Sequence, residues 1–423
     1  MNRFQFLKKP GFLAITIFTL SSSAHKAEFT DEARKFNSIN LGEVVEERLA
    51  KDELFNRQKL EIQTAIDSYF KKAIASGDII GAGVSIVKGD SIVLDSGYGK
   101  RKVNESETIN GQTVFRLGSI SKGFAGVLAG KLKEEGKIDW NDKVVEYIPE
   151  FNFSNREFSE KITLSHILSH TSGAPYHSYT DLVESGLSLE NIAPRFQTVK
   201  PISEPGKMYS YQNALFALSG TVMECATGET INEELDNYFF KPLGMLTAST
   251  DYTSLKENDN VAYPHRLYGK GWRSVKLTDK YFNAVAAGGV NASALDMAKW
   301  MRFLLGHNTN LMSKQALSEV FQPFIQVKGR SKYYQRWPGH VSSYYAFGWR
   351  IHKFKDENSE AEKTIIHHGG SVNHYRNEIA IYPEDDLGIC VLFNSTPKIV
   401  SHVIPDLYEI VTKILSEKTE GNS

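Results

Sequence analysis

Strand-like sequence is concentrated at the two ends of this chain, with helical patterns between them, and few packings satisfy that distribution. Near the start, GAGVSIVKGDSIVLDSGYG reads as two β-rich runs about Lys88-Gly89-Asp90, a hairpin. From about residue 345 the pattern turns to β again. YYAFGWRI, KTIIHH, HYRNEIAIYP and LGICVLFN are candidate strands, and Pro383-Glu384-Asp385-Asp386 is a turn. A helix with Ile66, Tyr69, Phe70 and Ile74 on one face precedes the first hairpin. A last helix is expected from about Ile399 to Ile414, kinked or broken at Pro405. Sequential hairpins favour antiparallel pairing. The simplest packing is an α/β (α+β) fold: one antiparallel sheet from about residues 56–114 and 345–415, flanked by the terminal helices. An inserted, mainly helical lobe then covers about 115–344, and the groove between lobes is a natural ligand site.

Composition narrows the partners. The formal net charge is −1, which leaves no concentrated basic face for nucleic acid. Arg3, Lys8 and Lys9, the apolar run GFLAITIFTL and the small residues Ser22-Ser23-Ala24 make residues 1–24 an expected export signal. The alternative is an uncleaved membrane anchor. With no cysteine near the cut, a cysteine-linked lipid is excluded. The protein is therefore expected to be exported, periplasmic or secreted, with residues 25–55 as an N-terminal arm. Cys225 and Cys390, in a helical and a strand-like run, are expected to be two buried, unpaired thiols.

FRLGSISKGFAGVLAG places Ser119 at the start of an apolar helix and Lys122 one turn later on the same face. Gly123, Gly126 and Gly130 each cost about 1 kcal/mol of helix propensity against alanine, so a neighbouring element must approach closely there. A serine hydroxyl needs a base to act as a nucleophile. A lysine serves if burial lowers its pKa, and a fixed ammonium can instead lower that of a nearby tyrosine. S-x-x-K also occurs at Ser23–Lys26, Ser68–Lys71 and Ser395–Lys398, but only Ser119 begins an apolar helix. SEPGKMYSYQNALFALSG sets Tyr211-Gln212-Asn213 on a turn before another helix. Tyr281-Phe282-Asn283 and Tyr375-Arg376-Asn377 share the Y-x-N spacing.

Taken in order, FRLGSISKGFAGVLAG, ITLSHILSHTSGAP, PGKMYSYQN, AAGGVNASALDMAKWM, YYAFGW, IIHHGGSVNHYRNEIAIYP and LGICVLFN resemble the class C β-lactamase and penicillin-binding serine hydrolase family over about residues 60–415. The resemblance implies a third motif, His-x-Gly, for which His367-His368-Gly369 and His368-Gly369-Gly370 both fit; the second aligns without a gap. It also implies that Ser119 forms an acyl-enzyme and that Lys122 and Tyr211 share the proton traffic, with either as base. Asn213 would bond the substrate's amide side. The N–H groups of Ser119 and Ser371 would form the oxyanion hole, with Gly370 beside them. His368 would stand where a lactamase has a lysine against the substrate carboxylate, and a neutral histidine holds an anion less firmly. Asn373 and His374 stand where glycine is common, which would narrow that side of the groove. The expected partners are a β-lactam, a D-alanyl peptide or an ester, with no metal or organic cofactor.

Two other chemistries fit poorly. His166 and His170 have helical i, i+4 spacing, but Ile167 stands where a zinc peptidase needs glutamate. Gly369-Gly370-Ser371-Val372-Asn373 ends in asparagine, so a G-x-S-x-G elbow is missing.

Overall fold

The computed structural model describes residues 41–269, 271–355 and 361–417. The expected export signal and residues 25–40 of the arm lie outside these. The chain divides into units Met1–Leu54 and Phe55–Ser423. The described part of the first is helical, within the Leu41–Ala75 helix, and carries the exposed ion pair Lys51–Glu47. No helix among the described residues is long and apolar enough to cross a membrane.

In the second unit, eight strands form one antiparallel sheet in the order Ser91–Gly99, Gly81–Lys88, Leu387–Phe393, Tyr375–Tyr382, Glu362–Val372, Arg350–Lys355, His340–Tyr345, Ile325–Gln326. The two ends of the sequence meet within it, at its second and third strands, where Val84 pairs with Val391 and Ser85 with Cys390. All seven residues of LGICVLF are buried, because helices cover both faces of the sheet. Ile66 and Phe70 of the N-terminal helix and Leu407 and Val411 of the Val403–Ser416 helix pack on one face. The Ala294–Leu304 helix and the helical lobe pack on the other.

Several local expectations need correction. YYAFGWRI is not one strand: His340–Tyr345 and Arg350–Lys355 flank a turn at residues 346–349, with Gly348 at φ +80°. That turn rests on the backbone of Lys122, which only glycine at 348 permits. Pro405 does not break the last helix; it sits in the first turn of Val403–Ser416, where a missing N–H costs nothing. Cys225 is exposed, near the end of the Asn213–Thr227 helix, whereas Cys390 is buried in the central strand; both are free thiols. The helical lobe also contains short strand pairs, Val114–Arg116 with Asn291–Ser293 and His265–Tyr268 with Gly271–Ser274. Runs of three or four residues carry too little alternation to be read as strands.

The Ser121–Glu134 helix runs through the core of the helical lobe, packed by the Val285–Gly288, Lys314–Val320 and Asn213–Thr227 helices. Phe124 stacks on Trp300 at 4.0 Å. Its three glycines meet, in turn, the ring of Trp349, the carbonyl of Phe347, and Val320 with Met312. Gly126→Ala would gain about 1 kcal/mol of helix propensity, but its methyl would meet the rigid Phe347 carbonyl, a clash worth about 3 kcal/mol because backbone cannot give way. Thermal melts are expected to show a Tm several degrees lower for Gly126→Ala. Gly271→Ala, with nothing within 4 Å of the new methyl, should stay within about 0.5 kcal/mol of wild type. An unchanged Gly126→Ala would remove the close-approach explanation.

Candidate active site

The segment before Ser119 is pinned to the sheet. Asn377 donates through Nδ2 to the carbonyls of Arg116 (2.8 Å) and Leu117 (3.2 Å) and accepts from the Phe393 N–H. Gly118, at φ +57°, lies so close to Ser371 that a Cβ would come within 2.8 Å of its backbone. Gly370 is equally constrained, since a Cβ there would collide with the Leu117 carbonyl. A single 3-10 turn, Gly118–Ile120, then presents Ser119 half-exposed at the mouth of the Ser121–Glu134 helix. The segments expected to supply the two oxyanion amides, Ser119 and Ser371, are thus adjacent, and both residues line one cavity.

Lys122 is completely buried. Its Nζ lies 2.8 Å from Asn213 Oδ1, 2.8 Å from the Ala287 carbonyl and 3.3 Å from Ser119 Oγ. Burial, reinforced by the Arg350 charge, pushes the amine's pKa well below its ordinary value. A neutral amine has two N–H bonds and one lone pair. Asn213 Oδ1 and the Ala287 carbonyl can only accept, so they take both N–H bonds, and the lone pair is left for the serine hydroxyl. Asn213 is held in that orientation because its Nδ2 donates to Tyr281 Oη at 3.0 Å, and Tyr281 in turn donates to Glu184 at 3.3 Å.

Tyr211 donates to Ser119 Oγ at 2.9 Å. Burial raises its pKa, against the opposing charge of Arg350, so it is a phenol. His170 backs it: the ring lies 4.2 Å from that of Tyr211, and Nδ1 accepts the Gln212 N–H. The Leu164–Leu168 helix ends before His170, which has φ +59°, and His166 caps that helix against Thr163. The two histidines therefore do not form a helical pair.

Ser119, Tyr211, Gly369 and Ser371 line a cavity of about 500 Å³. Arg350, Arg376, Lys328 and Lys332 bring four cationic side chains to it, Tyr176, Tyr209, Tyr333 and Tyr334 bring aromatic surface, and none of the lining residues is acidic. Arg350 is the unusual member. Its Nε and NH1 are buried without a hydrogen-bond partner. Neither His367 nor His368 lines this cavity. His368 is fully buried, with Nε2 on Tyr345 Oη (3.0 Å) and Nδ1 near the Gly369 carbonyl (2.8 Å). His367 faces the other side of the strand and meets Glu378 at 2.7 Å. Asn373 and His374 form a positive-φ turn outside the lining, with Asn373 bonded to the Lys276 carbonyl.

Sequence reasoning thus brought Ser119, Lys122, Tyr211 and Asn213 together and missed Tyr281 and Arg350. Tyr281 stands in one of the other two Y-x-N spacings, which by itself assigns it no role. Arg350 had a signal: a lone cation between Trp349 and Ile351 in an apolar run.

Comparison with known proteins gives the family and the fold. The Beta-lactamase family profile matches residues 66–410. "Protein flp" of Staphylococcus aureus (strain MRSA252) is 25% identical over 350 residues, covering 81% of this chain and 65% of its own length. The chain thus spans just under two thirds of that relative. "Unguisins hydrolase ungD'" of Aspergillus campestris is 23% identical over 77% of this chain and 60% of its own length. The octameric penicillin-binding protein homologue from Pyrococcus abyssi superposes with a TM-score of 0.69 at 24% identity, covering 82% of this chain and 77% of that one, a likeness of fold. The chain belongs to the β-lactamase family and has its serine hydrolase fold.

Proposed function

We propose that the protein is an exported acyl-transfer hydrolase in which Ser119 is the nucleophile, acting on amide, β-lactam or ester substrates that carry an anionic group. The observation that carries this reading is the placement of one serine oxygen between a buried amine and a buried phenol. As Ser119 Oγ attacks the carbonyl carbon, its proton passes to the Lys122 lone pair. The developing oxyanion is taken by the Ser119 and Ser371 amides, an interaction worth about 3–4 kcal/mol per donor in such sites. Tyr211 hands its proton to the leaving group and is recharged from the Lys122 ammonium. Water then attacks the acyl-enzyme with the same two groups reversing their roles. Asn213 holds Lys122 in register with both ends of its amide, and Tyr281 holds Asn213.

Arg350 supports the anionic preference. A buried guanidinium with unpaired N–H groups bears an unmet desolvation cost that a carboxylate on the substrate would relieve. In this reading Arg350 takes the part first expected of His368. The Aspergillus relative is named a hydrolase, which supports hydrolysis without choosing a substrate. The pattern of residues 1–24 supports export.

Intact-mass analysis after an activated ester and after a penicillin tests the nucleophile. Wild type is expected to gain one acyl group and Ser119→Ala none; an equal adduct on both would end the proposal. A long-lived penicillin adduct with rapid ester turnover would identify the protein as a penicillin-binding esterase. Lys122→Arg puts a guanidinium that cannot deprotonate in place of the amine, so it is expected to lower the acylation rate by about 10²–10⁴-fold. Arg350→Ala is expected to raise KM for carboxylate-bearing substrates by about 10–100-fold, the worth of a hydrogen bond to a charged group, and to leave neutral esters unchanged. Steady-state kinetics on a matched acid and amide checks this.

A further inference from the structure

A buried acid lies behind the groove and takes no part in the acyl transfer just described. Glu378 pairs with Gly369 across two neighbouring strands, so both belong to the cavity face. A Cβ on Gly369 would come within 2.8 Å of the Tyr333 hydroxyl and 2.9 Å of the Glu378 carboxylate. Those two groups fill the space in which a side chain at 369 would build the wall. Glu378 is fully buried. Its Oε1 lies 2.8 Å from Arg376 NH2 and 2.9 Å from the Tyr333 hydroxyl, and its Oε2 lies 2.7 Å from His367 Nε2. Arg376 and Tyr333 both line the Ser119 cavity, and Arg376 NH1 also reaches the Gly370 carbonyl at 3.4 Å.

From His367 a chain of hydrogen bonds leads outward. His367 Nδ1 meets His352 Nε2 at 3.1 Å, His352 Nδ1 meets Ser343 Oγ at 2.9 Å, and Ser343 Oγ meets His340 Nε2 at 2.7 Å. Burial holds His352 and His367 well below their ordinary pKa, so both are neutral. With Nε2–H on every ring, each bond in the chain runs the same way, from half-buried His340 to Glu378. That is a route for a proton to a carboxylate sealed from water.

We propose that Glu378 is a positioning residue that fixes Arg376 and Tyr333 on the groove wall and whose charge, set from solvent through the histidine chain, tunes the affinity of the groove for anions. The proposal deepens the reading of this groove as a site for anionic substrates and rests on it. Ionised, Glu378 neutralises Arg376. Protonated, it leaves Arg376 as an uncompensated cation beside the substrate. The groups facing it are Arg376 on its own strand, His367 and Cys390 on the two neighbouring strands, Tyr333 from the Tyr333–Arg336 turn, and Arg350 from the next strand. The arginines stay charged, His367 stays neutral, and burial pushes the Cys390 thiol and Tyr333 phenol upward, away from neutrality. Burial raises the Glu378 carboxyl to about 7, against the pull of Arg376. Glu378 is thus the group of this cluster that changes charge near neutral pH, and affinity for an anion should rise as pH falls through that value.

Equilibrium binding of phenylacetylglycine and of its uncharged amide, at pH 6 and pH 8, tests this on the full chain. In wild type the acid is expected to bind about fivefold tighter at pH 6, a usual size for coupling between two sites, and the amide equally at both. Glu378→Gln, a mimic of the protonated acid, is expected to bind the acid tightly at both pH values, lowering KM at pH 8 with little change in kcat. The same pH dependence in variant and wild type, or an equal shift for acid and amide, would overturn the proposal. If Glu378→Gln does not fold, Arg376→Gln serves: it should lose the pH 6 gain, and keeping that gain would refute the idea. Binding is read without turnover. A protein that shows the pH response but is never acylated at Ser119 would refute the hydrolase reading and leave this one standing.

Discussion

The site depends on the complete burial of one amine. An ammonium taken out of water is costly, and among the described residues Lys122 has no carboxylate within its hydrogen-bonding shell. The cheaper state is the neutral amine, and two obligate acceptors then decide where its lone pair points. Tyr211 is a phenol for the same reason, because burial penalises its anion. One physical cause, exclusion of water around the first turn of the Ser121–Glu134 helix, therefore assigns both partners of Ser119.

That exclusion is a property of the fold. The helix lies so deep in the core of the lobe only because Gly123, Gly126 and Gly130 let Trp349, Phe347 and Val320 come against it. The Gly348 turn closes over the Lys122 carbonyl, and Gly118 and Gly370 let the serine-bearing turn and the neighbouring strand touch. Helix propensity is given up at each point in exchange for contact that larger residues would prevent. Asn377 completes the join by tying residues 116–117 to the interior of the sheet, one strand away from where the two ends of the sequence meet.

Much of this was legible in the sequence, for definite reasons. Apolar runs such as LGICVLF, bounded by turn residues, announce strands buried on both faces, and the glycine spacing in FAGVLAG announces a close neighbour. The family match shows the fold that those runs imply. What escaped was set by tertiary context. The break at residues 346–349 depends on a contact with Lys122, the solvent side of Cys225 on how its helix is rotated, and the harmless Pro405 on where the last helix begins. Strand alternation could separate His367 from His368 but could not say that Glu378 and Tyr345 respectively hold them away from the groove. Nor could spacing alone show that Tyr281, one of three Y-x-N tyrosines, orients Asn213.

The cationic lining of the groove and the neutral amine are linked, because the Arg350 charge that suits an anionic substrate also helps keep Lys122 unprotonated. The most direct measurement of the central claim is an NMR titration of the Lys122 side chain, with the resonance assigned by its absence in Lys122→Met. The account predicts a neutral amine at pH 7, titrating well below the range of the surface lysines. A Lys122 signal that titrates with those lysines near pH 10.5 would show a buried ammonium and contradict it.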